Sequence, residues 1–481
     1  MSIKAGELHD DRVGRALERL FDCDRASLLT ELMLGVIAEF NVDCSQLHND
    51  STSVTLHGAY KGADGRERAG KATPAIRHGH NKDHRPDLKQ LLWILTVTAD
   101  GALPVAYRLT DGNITDDQTH IATWDGLCAL TGRADFLYVA DCKLCTHEQM
   151  THIDSRGGRF VTVLPRSRKE DRFLRDWAQR DAPAWTEAER RNGKRKDDPD
   201  EVWWTAPAPI PSAEGYRIVW VRSSQKVVRD AEARQQRIER GLRALASLAE
   251  RLQGPKSRLR TRVTVEETVK AALAGAGAER WINWNVTETV EENYRQERRG
   301  RPGQNTRYRK HTTTRFAVQF DVDAAKVAYD AATDGCFPLI TNDRDPADAE
   351  TLRAYRYQPN LEKRHHQLKS VQDAAPVFLK NPERIEGLFL CHFIALLACA
   401  LIERELRQAM AREQIAELPL YPEGRPCKHP TAARTLELFT GVTRHCLTRH
   451  GQHIQTFQPE LTPLQAQLLD LLGAPAIAHH H

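Results

Sequence analysis

Hydrophobic positions near the start of the chain recur at helical spacing: Val13, Leu17, Leu20 and Phe21, then Leu28, Leu29, Leu32 and Ile37. That period predicts two amphipathic helices over residues 10–40. The period then switches to two. Residues 45–60, SQLHNDSTSVTLHGAY, alternate and are rich in β-branched side chains, as a strand requires. A charged, Gly-containing stretch (61–87) reads as a loop, and residues 88–113 read as a hairpin turning at Asp100-Gly101. Helical spacing returns over 115–131, where Thr115 suits an N-cap and acids suit the first turn. Residues 134–141, ADFLYVAD, form a short apolar run ending at Asp141, consistent with a buried strand. A helix over 145–156 and a strand over 159–165 complete this block.

From residue 168 the character changes. Residues 168–200 are dense in charge, EVWWTAPAP and YRIVWVRS have the composition of strands, and 228–252 is a long helix. In that helix Ile238, Leu242, Leu245, Ala249 and Leu252 keep 4-3-4-3 spacing, which calls for a helical partner; residues 264–276 supply one. The block 168–334 is therefore expected to be an insertion with its own small core. GCFPLITN (335–342) is the next strand, and AYRYQPNLEKRHHQLKS (354–370) is predicted to form one helix. The remainder is mostly helical, from the apolar 385–403 onward. Five segments result: helical 1–44, a core divided between 45–167 and 335–405, the insertion, and a helical 406–481.

Within 354–370, Tyr355, Gln358, Glu362, His366 and Lys369 share one helical face, and Leu361, Leu368 and Val371 share the other. A lone carboxylate among phosphate-binding side chains suggests chemistry. A solvated face with one Glu–Lys pairing is the plain alternative.

Composition narrows the class. The 481 residues, 40% hydrophobic and 28% charged, admit two or three domains with a sizeable core. The best apolar run, 387–402, contains His392 and is shorter than a membrane span, and the early acids of the N-terminus do not suit a signal peptide. A cytoplasmic protein with no membrane partner is expected. Ten cysteines lack paired spacing, and Cys142 and Cys145 form a CxxC without a second one, so reduced thiols are expected rather than zinc. The histidines at 479–481 resemble the stub of a tag. A net charge of +4 is no argument for nucleic acid, but residues 295–315 hold eight Arg or Lys against one Glu. That density suits a phosphate-backbone surface, or a solvated basic loop.

Three carboxylates stand at informative places: Asp50 in the first strand, Asp141 at the tip of a buried strand, Glu362 on a helix far downstream. The order strand, hairpin, helix, strand with Asp, later helix with Glu is that of an α/β, ribonuclease-H-like core. In such a core the first and fourth strands are neighbours, so Asp50 is expected beside Asp141, with Glu362 lowered into the same cleft. Three gathered acids suit two divalent ions about 3.5–4 Å apart, which activate a water and stabilise the leaving oxygen of an in-line phosphoryl transfer. Mg²⁺ prefers such oxygen ligands.

Here the chain resembles bacterial insertion-sequence DDE transposases of the IS-four superfamily, most closely the IS-sixteen-thirty-four branch. The residues that carry the likeness are NDSTSVTLHG around Asp50, GHNKDHRPDLKQ (79–90), YVADCKL around Asp141, GCFPLITND and the helix 354–370. The likeness runs from about Asp10 to about Arg404, some four fifths of the chain. The family's Tyr-x2-Arg-x3-Glu-x6-Lys signature is matched at Tyr355, Glu362 and Lys369, with Gln358 at the Arg position. The resemblance implies Asp50, Asp141 and Glu362 as catalytic metal ligands for two Mg²⁺ ions, Mn²⁺ substituting. It implies Tyr355, Gln358 and Lys369 as holders of DNA phosphate, although Gln lacks the two-pronged charged grip of Arg. DNA partners, transposon ends and target, and a homodimer on DNA are implied too. Only 49 residues precede Asp50, fewer than relatives commonly carry, so a shortened N-terminus is expected.

RRGRPGQN (298–305) contains an AT-hook core, so Arg298, Arg299 and Arg301 are candidate minor-groove or backbone contacts, a basic turn being the alternative. In the 78–87 loop, Lys82 and Arg85 beside His78, His80 and His84 are candidate phosphate contacts. Trp203, Trp204, Trp281 and Trp284 fit either base stacking or the insertion's own core. A DNA-binding protein without catalysis, and a nuclease without strand transfer, are the rival functions.

Overall fold

The computed structural model of the chain describes residues 9–181, 183–193, 198–254, 259–450 and 452–474. The histidines at 479–481 lie outside the described residues. The protein is α/β and divides into two compact units. The first comprises Met1–Val163, Ile340–Pro346 and Arg353–His481; the second comprises Leu164–Leu339 and Ala347–Leu352.

The first unit is organised on a mixed sheet. Its strands run in the order Pro104–Asp111, Lys89–Thr98, Gln46–Leu56, Leu137–Val139, Arg159–Val163. Gln46–Leu56 pairs antiparallel with Lys89–Thr98, Asp50 opposite Leu95, and parallel with Leu137–Val139, His48 opposite Val139. Gln46–Leu56 is paired on both edges and carries the helix Gln358–His366 on one face, and it is buried almost throughout despite its polar sequence. Its many Thr and Ser side chains find partners inside the fold.

The 31-residue helix Pro382–Arg412 supports this sheet. Phe389 packs on Trp93 (ring centroids 5.3 Å apart) and Phe393 on Tyr107 (4.8 Å). Its Gly387 allows the backbone of Leu17, in the helix Asp10–Asp22, to approach closely. The apolar run expected to be too short for a membrane thus belongs to a helix long and apolar enough to cross one. Its apolar face is instead buried against the sheet, and its charges Glu403 and Arg404 are buried and paired.

The single helix expected over 354–370 is three pieces: Asp348–Tyr355, Gln358–His366, and a wider turn over Gln367–Val371. Pro359 explains the restart, because proline suits only the first turn of a helix, where its missing N–H is not needed. The largely helical C-terminal region also contains a hairpin, His445–Arg449 with Gln452–Phe457, exposed on nearly every residue.

The second unit carries the antiparallel strands Thr186–Arg191, Glu201–Pro207 and Arg217–Ser223, then the helices Ser224–Gln253 and Arg262–Ala276. Leu245, Leu248 and Leu252 of the longer helix meet Val265, Val269 and Leu273 of the shorter one in a single cluster. The buried stripe uses Leu248 where the spacing predicted Ala249, which is only half-buried. The basic segment 295–315 spans the turn of a two-stranded ribbon, Ile282–Gln296 with Tyr308–Val322, anchored in that cluster by Ile282, Val286, Phe316 and Val318. Of the four tryptophans, Trp203 is buried in its strand, Trp284 packs on the cluster, and Trp281 donates its indole N–H to Asp330 at 2.7 Å.

Candidate active site

The parallel pairing of Gln46–Leu56 with Leu137–Val139 decides which acids meet. Asp50 lies two residues beyond the last paired position of its strand, and Asp141 two beyond Val139, so the two carboxylates flank the same end of the strand pair. Asp141 ends its strand by capping the turn Cys142–Leu144, its Oδ1 accepting from the Lys143 amide at 3.0 Å. Burial raises both carboxyls: Asp50 rises from 3.8 to about 6, with Asp141 and Asp116 adding to the rise and Lys82 opposing it. For Asp141 burial leads, and Asp116 adds to it.

Glu362 is exposed on Gln358–His366, the helix that packs across the same strand. Tyr355 joins the three acids electrostatically. Burial first, then the charges of Asp141, Glu362 and Asp50, hold its phenol well above the ordinary range, so it stays a neutral donor. Because Tyr355 belongs to the preceding helix, its placement comes from the chain's turn at 356–357 and not from a shared helical face.

Gln358 occupies a different place from the one expected. It is buried; its amide nitrogen donates to the Asn49 carbonyl at 2.9 Å and its oxygen meets His48 Nδ1 at 2.9 Å. Gln46 donates to His48 Nε2 at 2.8 Å, so His48, kept neutral by burial with its pKa near 4, carries its proton on Nδ1 and donates to Gln358. Gln358 therefore pins the Glu362 helix to the Asp50 strand instead of reaching for phosphate. Lys369 pairs with Asp83 at 2.8 Å, and Arg85 with Asp87 in a two-pronged bridge. Arg298, Arg299 and Arg301 are exposed at the tip of the ribbon in the second unit.

Lys82 goes directly to the acids. Its ammonium lies 2.6 Å from the Ser51 carbonyl, 3.0 Å from Ser51 Oγ, 3.3 Å from Asp116 Oδ2 and 3.7 Å from Asp50 Oδ1. Asp116, expected only as a helix-start acid, is drawn to the sheet by Ser51 Oγ, which donates to its Oδ1 at 2.5 Å. The helical face of Glu362 singles out His366, which is exposed; His365 instead turns inward, 7% exposed, its Nε2 3.8 Å from Asp50 Oδ2. Neither ring nitrogen of His365 has a well-formed hydrogen bond, and burial together with Lys82 and Lys369 holds its pKa near 3. The helical period puts 362, 365 and 366 together, and only the neighbouring strand chooses between the histidines.

The donor set suits a hard divalent ion: carboxylates, a hydroxyl and a carbonyl, with an ammonium already held among oxygens where a cation belongs. Among the described residues, no three His, Cys, Asp or Glu side chains converge on one point, and Lys82 stands between Asp50 and Asp116. No known protein family and no curated protein sequence matches the chain.

Proposed function

We propose that the protein is a Mg²⁺-dependent DNA transposase of the DDE class, on an RNase H-like core and akin to the IS-four superfamily. On this reading it cuts the ends of a mobile element and joins the freed 3′-OH to target DNA, acting as a homodimer on DNA. The reading is carried by Asp50 and Asp141 lying at the same end of a parallel strand pair, with the helix that bears Glu362 packed against the Asp50 strand. Strand order in the first unit, with the Asp50 strand between an antiparallel hairpin and the Asp141 strand, supports it.

Divalent ions bound by Asp50, Asp141 and Glu362 would supply activation of the attacking oxygen and stabilisation of the leaving one. The chain's own groups do the rest. Tyr355 offers a neutral O–H to a phosphate oxygen. Lys369 and Arg85 would exchange Asp83 and Asp87 for phosphates of the strand's backbone, and the ribbon arginines add sequence-independent attraction. No side chain serves as nucleophile; water attacks first and the DNA 3′-OH second.

The test is a strand-transfer assay with Mg²⁺ on precut duplexes taken from the DNA flanking the gene, where inverted repeats are expected. Joined products support a transposase, hydrolysis alone a nuclease, and binding alone a protein without catalysis. Asp50→Ala, Asp141→Ala and Glu362→Ala should each abolish cutting and joining while leaving DNA binding largely intact. Activity within tenfold of the parent for any one would remove that residue from the site.

A further inference from the structure

Asp116 is not one of the three acids that the transposase signature supplies, yet its carboxylate shares the Lys82 ammonium with Asp50. One oxygen is fixed by Ser51 Oγ at 2.5 Å, and the other faces the Lys82 ammonium at 3.3 Å. The same ammonium reaches Asp50 and both oxygens of Ser51, so one cation lies within 2.6–3.7 Å of four oxygens from three residues. Two carboxylates facing one ammonium leave a surplus negative charge, and nearby Asp141 adds to it.

A second observation points the same way. The other oxygen of Asp50 faces His365 Nε2 at 3.8 Å, too long for a hydrogen bond, and that buried imidazole has no well-formed hydrogen bond at either nitrogen. A neutral ring needs a partner for its one N–H, and burying a donor without one is costly. Asp50 is the residue it faces, by its carboxylate at 3.8 Å and by its backbone.

We propose that Asp50 and Asp116 together hold a divalent cation, and that Lys82 occupies its place as an internal counter-ion which the incoming ion displaces. The inference rests on the metal-dependent reading of the same site. A doubly charged ion satisfies both carboxylates better than one ammonium, and its entry frees Lys82 for a DNA phosphate. The Lys82 stem stays in position, because its backbone N–H is held by Ser53 Oγ at 2.9 Å.

Titration of Mn²⁺ into the metal-free full-length chain, following free Mn²⁺ by electron paramagnetic resonance, tests this without any turnover. Asp116→Asn and Asp50→Asn should each weaken binding by about tenfold or more. Lys82→Met should tighten it several-fold, since a competing cation is gone. That second variant adds no buried charge, so it remains informative if Asp116→Asn folds poorly. Loss of Mn²⁺ in Asp50→Asn with unchanged binding in Asp116→Asn, or unchanged or weaker binding in Lys82→Met, would overturn the inference and leave the transposase reading standing. Unchanged binding in Asp50→Asn, Asp141→Asn and Glu362→Gln alike would overturn that reading as well.

Discussion

Asp50→Asn should make the metal-free protein more stable at alkaline pH, although it removes a residue central to the proposed chemistry. The carboxyl of Asp50 titrates at about 6 in the fold, against an ordinary value of 3.8, because burial disfavours its charged form more than Lys82 favours it. A carboxyl whose folded value is raised stabilises the fold while protonated, and that contribution disappears as pH rises through the folded value. The window is thus from about pH 4 to somewhat above pH 6. A rise of that size corresponds to about 3 kcal/mol of penalty at pH 8, falling to roughly half of that at pH 5. With the side chain 21% exposed, water screens part of it, and a gain of about 1–3 kcal/mol is the working expectation for Asn at pH 8. Urea unfolding of both proteins in chelator, at pH 8 and pH 5, measures the difference. A gain that shrinks toward pH 5 supports the argument. An equal effect at both pH values, or destabilisation at pH 8, would refute it, since Asn cannot titrate and the whole difference is assigned to ionisation.

Three further outcomes are expected. Neutralising Arg298, Arg299 and Arg301 together should weaken DNA binding and reduce the slope of log K against log salt by up to about 0.9 per lost phosphate contact; an unchanged slope would leave the ribbon tip as a solvated turn. Gln358→Arg, which installs the arginine of the insertion-sequence signature, should destabilise the fold by about 1–3 kcal/mol in thermal unfolding, because a cation would face the His48 Nδ1–H donor in a buried position; an unaffected melting curve would mean that His48 carries its proton on the other nitrogen. Gly387→Ala should cost about 1–3 kcal/mol of stability by the same measurement, as an added Cβ would overlap the Leu17 carbonyl oxygen; no loss would show that the Asp10–Asp22 helix shifts freely.

Much of the α/β architecture is legible along the chain, for local reasons. The strand Gln46–Leu56 and its hairpin neighbours follow from β-branched runs and the Asp100-Gly101 turn. The helix pair Ser224–Gln253 and Arg262–Ala276 follows from 4-3-4-3 spacing. The ribbon Ile282–Gln296 with Tyr308–Val322 left no such trace, because most of its residues face water on both sides and nothing selects for alternation. The break before Gln358 is written in Pro359, but the amphipathic stripe across 354–370 masks it. At the site, single acids at strand ends are visible in the sequence as residue types. Which of them meet is a matter of register. The sequence alone pointed to Asp50, Asp141 and Glu362 as acids of one core, and all three lie in the first compact unit. Only the tertiary structure turned Asp116 toward Ser51 across 65 residues of chain, chose His365 over His366, and brought Gln358 to the Asn49 carbonyl 309 residues away. Local periodicity decides which face of an element is buried. Which groups then share a desolvated space depends on strand pairing and helix packing, and those set the charge and proton state of each.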